Sequence, residues 1–152
     1  MWWKAMRISA VVLVIASSVG QCIDIPGGAA LLMAPVGKSL PRTTVRSEVK
    51  KLFVFLWHLH AENLVHGDPR VPNVMLDGEK PLWIDFVNMG KASPNLRKLD
   101  AEILTRSILH VSREMDLGHE MENSLKEYGT NSSLENINVL ANEVCQFLNL
   151  PN

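Results

Sequence analysis

The sequence predicts an α+β domain, mostly helical, with one small β-hairpin. Three observations carry this. Apolar residues recur at helical spacing in three stretches, 41–63, 96–113 and 134–148. Two short apolar runs flank Asp77-Gly78, a strong hairpin signal. The chain of 152 residues is 47% apolar, enough for one domain with a real core and too apolar for wholesale disorder.

The formal net charge is -1, without the basic surplus of a general nucleic-acid binder, so no nucleic-acid partner is expected. Cys22 and Cys145 stand near opposite ends and suggest neither a disulfide nor a Cys-x-x-Cys metal site. At the N-terminus, Lys4 and Arg7 precede the apolar run Ile8 to Ile15, and small residues follow to Gly20. Basic, apolar, small is the order of a secretory signal. The run is short for a bilayer, so no stable membrane span is expected. Val11 to Ile15 is also strongly β-prone. Residues 1–22 therefore read either as a signal peptide or as a truncated N-terminal strand, ahead of a domain at 23–152. Asn131-Ser132-Ser133 is a glycosylation sequon that matters only in a secreted chain.

In order, Asp24 to Gly28 is a turn cluster, Ala29 to Met33 a short strand, and Ala34 to Lys38 a break. Pro41 to Asn63 reads as a helix capped by Thr43 or Thr44. Its stripe is Val45, Val49, Leu52, Phe53, Leu56 and Leu59 or His60; Arg46, Lys50 and Lys51 take the other side. His58 and His60 lie two apart, face different sides, and read as packing or surface histidines. Leu64-Val65 is extended. Val74 to Leu76 and Leu82 to Ile84 are the hairpin strands, with Asp77 to Pro81 as the turn. Asn88 to Asn95 is loop. Leu96 to Arg113 is a helix with Leu99, Ile103, Leu104, Ile108 and Val111 on one side and Asp100 near its start. A polar stretch follows, amphipathic around Met121 to Tyr128. Leu134 to Leu148 is a last helix, capped by Ser132 or Ser133, with Ile137, Leu140, Val144, Phe147 and Leu148 as its stripe.

The chemistry concentrates in Val65-His66-Gly67-Asp68-Pro69-Arg70-Val71-Pro72-Asn73 and in Leu82-Trp83-Ile84-Asp85-Phe86. Two carboxylates, a guanidinium and a carboxamide fall in a short span. A hairpin with Asn73 at its entry and Asp85 at its exit folds these two ends side by side. Asp85 sits in an apolar run, where burying an acid is costly unless metal or hydrogen bonds compensate.

The spacing Asp-x-Arg-x-x-Asn, then a hairpin, then Asp-Phe, resembles the catalytic loop and metal-binding segment of the protein-kinase fold. The usual form there is His-Arg-Asp-x-Lys-x-x-Asn and later Asp-Phe-Gly. Here His66-Gly67-Asp68 and Asp85-Phe86-Val87 are more similar to divergent and small-molecule kinase branches and to Crinkler-type kinase-like domains. The resemblance covers Leu31 to about Val111 and implies a kinase-like C-terminal lobe. It casts Asp68 as the residue that orients or accepts the hydroxyl proton and Arg70 as a contact to the transferred phosphoryl group. Asn73 and Asp85 become ligands of Mg²⁺, and Met33, Ala34 and Val36 a hinge facing the adenine of ATP. His66 and Gly67 support the loop, and Asp100 anchors its backbone from the following helix.

No glycine-rich phosphate loop and no Val-Ala-x-Lys strand precede the motif, so the N-terminal lobe reads as largely missing. The resemblance then implies ATP- and Mg²⁺-dependent transfer to a protein or small-molecule hydroxyl, incomplete without a partner chain, or else a catalytically silent binding or effector module. A kinase reading points to the cytoplasm and a true signal to secretion. An unrelated secreted helical protein is the third reading. The plain structural alternative for the motif has Asp68 capping a turn, Arg70 paired with an acid, and Asp85 on an exposed strand edge.

Overall fold

The computed structural model describes residues 7–8, 11–12, 17–25, 28–34, 38–41, 45–78 and 80–150; the first four stretches and Lys80 are described as backbone only. The described fold is α+β and mostly helical. In chain order come β1 (Arg7–Ile8), β2 (Val11–Val12), β3 (Ser17–Ile25), β4 (Gly28–Ala34), β5 (Lys38–Ser39), α1 (Arg46–Ala61), β6 (Leu64–Val65), β7 (Val74–Asp77), β8 (Lys80–Trp83), β9 (Gly90–Lys91), α2 (Pro94–Leu109), α3 (His119–Thr130) and α4 (Leu134–Phe147). Short 3-10 turns lie at Val71–Asn73 and Phe86–Asn88. Antiparallel pairs join β1 to β2, β3 to β4 and β6 to β9, and β7 is the middle strand between β5 and β8. The expected break at residue 22 falls inside β3. No helix among the described residues is long and apolar enough to cross a membrane.

Helix α1 buries Val49, Leu52, Phe53, Leu56, Leu59 and His60, one stripe at helical spacing. Its N-cap position is Val45, which makes no side-chain cap bond; Thr43 and Thr44 lie outside the described residues. Helix α4 packs on α1, and α3 packs on both α2 and α4. Gly129 sets the closeness of the α2–α3 crossing, because a Cβ there would lie 2.8 Å from Lys98 Cβ and from the Pro94 carbonyl. The shared core runs from Phe53 and Leu56 through Trp83 and Leu104 to Tyr128, Leu140 and Val144. Trp83 stacks on Phe55 at 4.9 Å and meets the edge of His66 at the same separation, tying the hairpin to α1 and to the loop.

Several expectations shift. The hairpin forms, but its strands pair out to Asp77↔Lys80, so the turn is shorter than Asp77 to Pro81 and Pro81 lies in β8. Gly78, at φ +63, supplies the left-handed turn residue. The loop expected at 88–95 holds β9, paired with β6. Helix α2 starts earlier, where Ser93 accepts from Leu96 N at 3.3 Å and Pro94 takes the first helical position. It stops at His110, in the left-handed region at φ 55, rather than running on to Arg113. Leu99 is 45% exposed, whereas Ala101, Thr105 and Leu109 are buried. The amphipathic piece near Met121 is a full helix, α3. Ser133 caps α4, accepting from Asn136 N at 3.1 Å, and Phe147 is 49% exposed while Ala141 and Cys145 are buried.

Candidate functional site

The loop from His66 to Asn73 leaves β6, crosses helix α2, and enters β7. Helix α2 holds it at two points. The Asp100 carboxylate accepts from His66 N at 2.7 Å and from Gly67 N at 3.0 Å. Ser107 Oγ accepts from Val71 N at 2.9 Å. Seven residues separate Asp100 from Ser107, almost two whole turns, so both face one side about 10 Å apart along the axis. Asp100 therefore contributes a fixed buried acceptor pair in the second turn, rather than a first-turn charge. Gly67 has φ +85, and a Cβ there would collide with the backbone carbonyl of Asn88. Only glycine fits between the loop and the 3-10 turn.

A second layer stands behind Asp100. His60 Nε2 lies 3.2 Å from Asp100 Oδ2, and His60 Nδ1 lies 2.7 Å from the Tyr128 hydroxyl. Burial pushes the Tyr128 phenol well above its ordinary range, so it keeps its proton within this contact. At the other ring nitrogen, Nε2–H donates to the Asp100 carboxylate, which can only accept. Asp100 thus accepts three hydrogen bonds at 1% exposure, as a buried carboxylate needs. His60, Tyr128 and Ser107 are joined to this loop by hydrogen bonds that sequence reasoning did not foresee. The available signals were a polar residue on the apolar stripe of α1, the only tyrosine, and a serine one heptad beyond Asp100.

His66 is buried and sits between Trp83 and Phe86. Burial lowers its pKa, so the ring is neutral at pH 7. Nε2–H donates to the Ile84 carbonyl at 3.0 Å, and Nδ1 accepts a weak bond from Asp68 N at 3.3 Å. One neutral tautomer satisfies both contacts and links the loop to the strand that leads to Asp85.

On the outer side, Arg70 forms a bidentate pair with Asp68: Nε to Oδ1 at 2.7 Å and Nη2 to Oδ2 at 2.6 Å. The Arg70 guanidinium holds the Asp68 carboxyl below the usual carboxylate range, with help from the Asn73 amide. Asn73 is buried; its Nδ2 donates to the Asp68 carbonyl at 2.9 Å and to Asp68 Oδ2 at 3.2 Å, which leaves Oδ1 as the oxygen it can offer elsewhere. Asn73 O accepts from Ile84 N at 2.9 Å, so the hairpin brings Asp85 next to this node.

Asp85 corrects an expectation. It is exposed, not buried in its apolar run, and its side chain makes no hydrogen bond among the described residues. The strand ends at Trp83, and Asp85 turns into the left-handed region at φ 62, ψ 60, which presents its carboxylate to solvent. Asp tolerates that conformation better than most residues. The carboxylate lies close enough to act electrostatically on both Arg70 and His66. Burial cost therefore says nothing about a metal here. Arg70 is folded onto Asp68 through Nε and Nη2.

The structure thus brings together His66, Gly67, Asp68, Arg70, Asn73 and Asp100 by hydrogen bonds, with Asp85 beside them. For the expected adenine-facing residues the described structure gives strand placement alone. Met33 and Ala34 lie in β4, paired with Ser18 and Ser17 in a separate two-stranded sheet, and Val36 lies outside the described residues. Among the described residues, no three His, Cys, Asp or Glu side chains group as a metal cage. The Asn73 oxygen and the Asp85 carboxylate are hard ligands of the kind Mg²⁺ takes when phosphates and water supply the rest. No family model matches the chain, and no curated protein matches it.

Proposed function

We propose that this chain is a kinase-like lobe that takes part in transfer of a phosphoryl group from ATP to a hydroxyl. The observation that carries the reading is the two-point suspension of the loop from α2. Asp100 fixes the backbone at His66 and Gly67, Ser107 fixes it at Val71, and Asp68 projects between them. Buried hydrogen bonds spent on holding a short loop make sense when the loop must present a side chain in one geometry.

In this reading, Asp68 orients the acceptor hydroxyl. The hydroxyl oxygen bonds to the γ-phosphorus, the bond from that phosphorus to the bridging oxygen of ADP breaks, and the hydroxyl proton leaves towards Asp68. The transition state is loose, so positioning matters more than base strength, and a carboxylate of lowered pKa is adequate. Asn73 and Asp85 would hold Mg²⁺, which supplies charge neutralisation at the phosphates. Arg70 has Nη1 uncommitted and the fork geometry for a phosphoryl oxygen.

One observation favours the silent alternative, a kinase-like binding or effector module: both Asp68 oxygens are already occupied by Arg70. A thermal-shift titration of the full chain with ATP and Mg²⁺, beside Asp85→Ala, separates the two. A ligand bound only by the folded state at a hundredfold excess over Kd stabilises it by about 2.7 kcal/mol. The phosphotransferase reading expects a shift that needs Mg²⁺ and disappears in the variant. A folded protein with no shift belongs to the silent class.

A further inference from the structure

Beside the loop lies a cleft of ≈ 560 Å³, within the usual range for a small-molecule site. Gly67, Asp68 and Arg70 form one wall, and Arg106, Ser107, His110 and Arg113 line the α2 side. Asp68 is the one carboxylate among the lining residues. Asp68 holds Arg70, and Glu102 holds Arg106 at 2.8 Å. Arg113 is exposed and has no acid bonded to it among the described residues, which leaves the cleft a net cation at its far end. Of the five N–H donors on each guanidinium, Arg70 keeps those of Nη1, and Arg106 keeps those of Nη2 because its Nη1 serves the Ser112 and Met115 carbonyls. Ser107 Oγ already accepts from Val71 N, so its own hydrogen is available to an acceptor. The lining thus runs from one carboxylate beside the loop to a set of unspent donors.

We propose that this cleft takes a small alcohol carrying a phosphate, with the free hydroxyl at Asp68 and the phosphate between Arg113, His110 and the spare Arg106 donors. The assignment rests on the phosphotransferase reading, since it makes this ligand the acceptor. Planar guanidinium forks suit phosphate oxygens, and the donor set exceeds what a neutral alcohol could use.

Isothermal titration calorimetry on the full chain tests it, with glycerol 3-phosphate, glycerol and inorganic phosphate as probes. The variants are Arg113→Glu, which alters an exposed side chain, and Lys126→Glu on the exposed side of α3 as the charge control. Glycerol 3-phosphate should bind saturably, at least about tenfold more weakly to Arg113→Glu, and unchanged to Lys126→Glu. Glycerol alone should give no saturable heat, and inorganic phosphate should bind more weakly than the ester. The proposal is overturned by no binding of glycerol 3-phosphate, by equal binding to Arg113→Glu, or by inorganic phosphate binding as well as the ester. The same preparations are titrated with MgATP. MgATP binding without glycerol 3-phosphate binding removes this inference and spares the phosphotransferase reading. Ester binding that Arg113→Glu abolishes, in a protein that does not bind MgATP, removes that reading and leaves the ligand class standing.

Discussion

On its inner side the loop rests on groups shut away from water: Asp100 is 1% exposed, His66 0% and His60 3%. On its outer side the Asp68–Arg70 pair has side chains 22% and 57% exposed, and Asp85 faces solvent. Both sides are rich in charge and hydrogen bonds, yet the same contact has a different energetic meaning on each. A buried acceptor that loses its role strands the donors it served, and each stranded donor costs its full desolvation. An exposed ion pair that is broken hands both partners to water. The inner side should therefore determine whether the loop holds its shape, and the outer side what it can do.

The largest expected effect comes from Asp100→Ala. It strands His66 N, Gly67 N and the His60 ring proton inside the protein. The expected loss is about 3–5 kcal/mol of unfolding free energy, read from the midpoint of urea denaturation. That is a large part of the stability of a typical domain. A loss under about 1 kcal/mol would show that water reaches these donors, and the contrast between the two sides would collapse.

A smaller effect, on the same inner side, comes from pH. Burial lowers the His66 pKa from its ordinary value of 6.5, so the folded state takes up a proton less readily than the unfolded one. The stability this contributes is complete above about pH 6.5 and is lost as pH falls through the lower folded value. From this one group the slope is at most about 1.4 kcal/mol per pH unit. In an NMR titration of the imidazoles, the resonance missing from His66→Gln should move only below pH 6.5. A His66 that titrates at or above 6.5 would mean the ring is wetter than its packing between Trp83 and Phe86 implies.

The difference between the two sides also explains what could be read in the sequence. The stripe of α1 was legible because every one of Val49, Leu52, Phe53, Leu56 and Leu59 is buried at its expected phase. The hairpin was legible from its turn residues. Helix α2 was legible, with Leu104 and Ile108 buried as expected, but its start, its end and Leu99 were misplaced. It turns Asp100 and Ser107 towards the loop, which carries Thr105 inward and leaves Leu99 outside. The His60–Asp100–Tyr128 chain was not legible, since its partners are 40 and 68 residues apart and only packing brings them together. The burial of Asp85 was misjudged for a local reason. An apolar run suggests continued strand, but the chain leaves the strand at Trp83 and turns, so that even Val87 is 85% exposed.

The smallest expected effect is that of Arg70→Ala, and it is the sharpest test of the outer side. The pair is bidentate and short, which on geometry alone would suggest a strong contribution. Exposure argues otherwise: solvent screening and the entropy of fixing a long side chain reduce such pairs to at most about 1 kcal/mol. The pH dependence follows from the lowered Asp68 pKa. Because the folded value lies below the ordinary 3.8, the contribution is present above pH 3.8 and disappears as pH falls through the folded value. Wild type and Arg70→Ala should therefore differ slightly in denaturation midpoint at pH 7, and the difference should shrink as pH falls below 3.8. The Asp68 carboxyl, followed by NMR, should titrate higher in the variant. A loss as large as that of Asp100→Ala would make Arg70 a structural clamp, and the outer side would then be scaffold as well. A small loss with a clear rise in the Asp68 titration would leave Arg70 as a residue that tunes and covers the carboxylate, displaceable when a hydroxyl or a phosphate arrives.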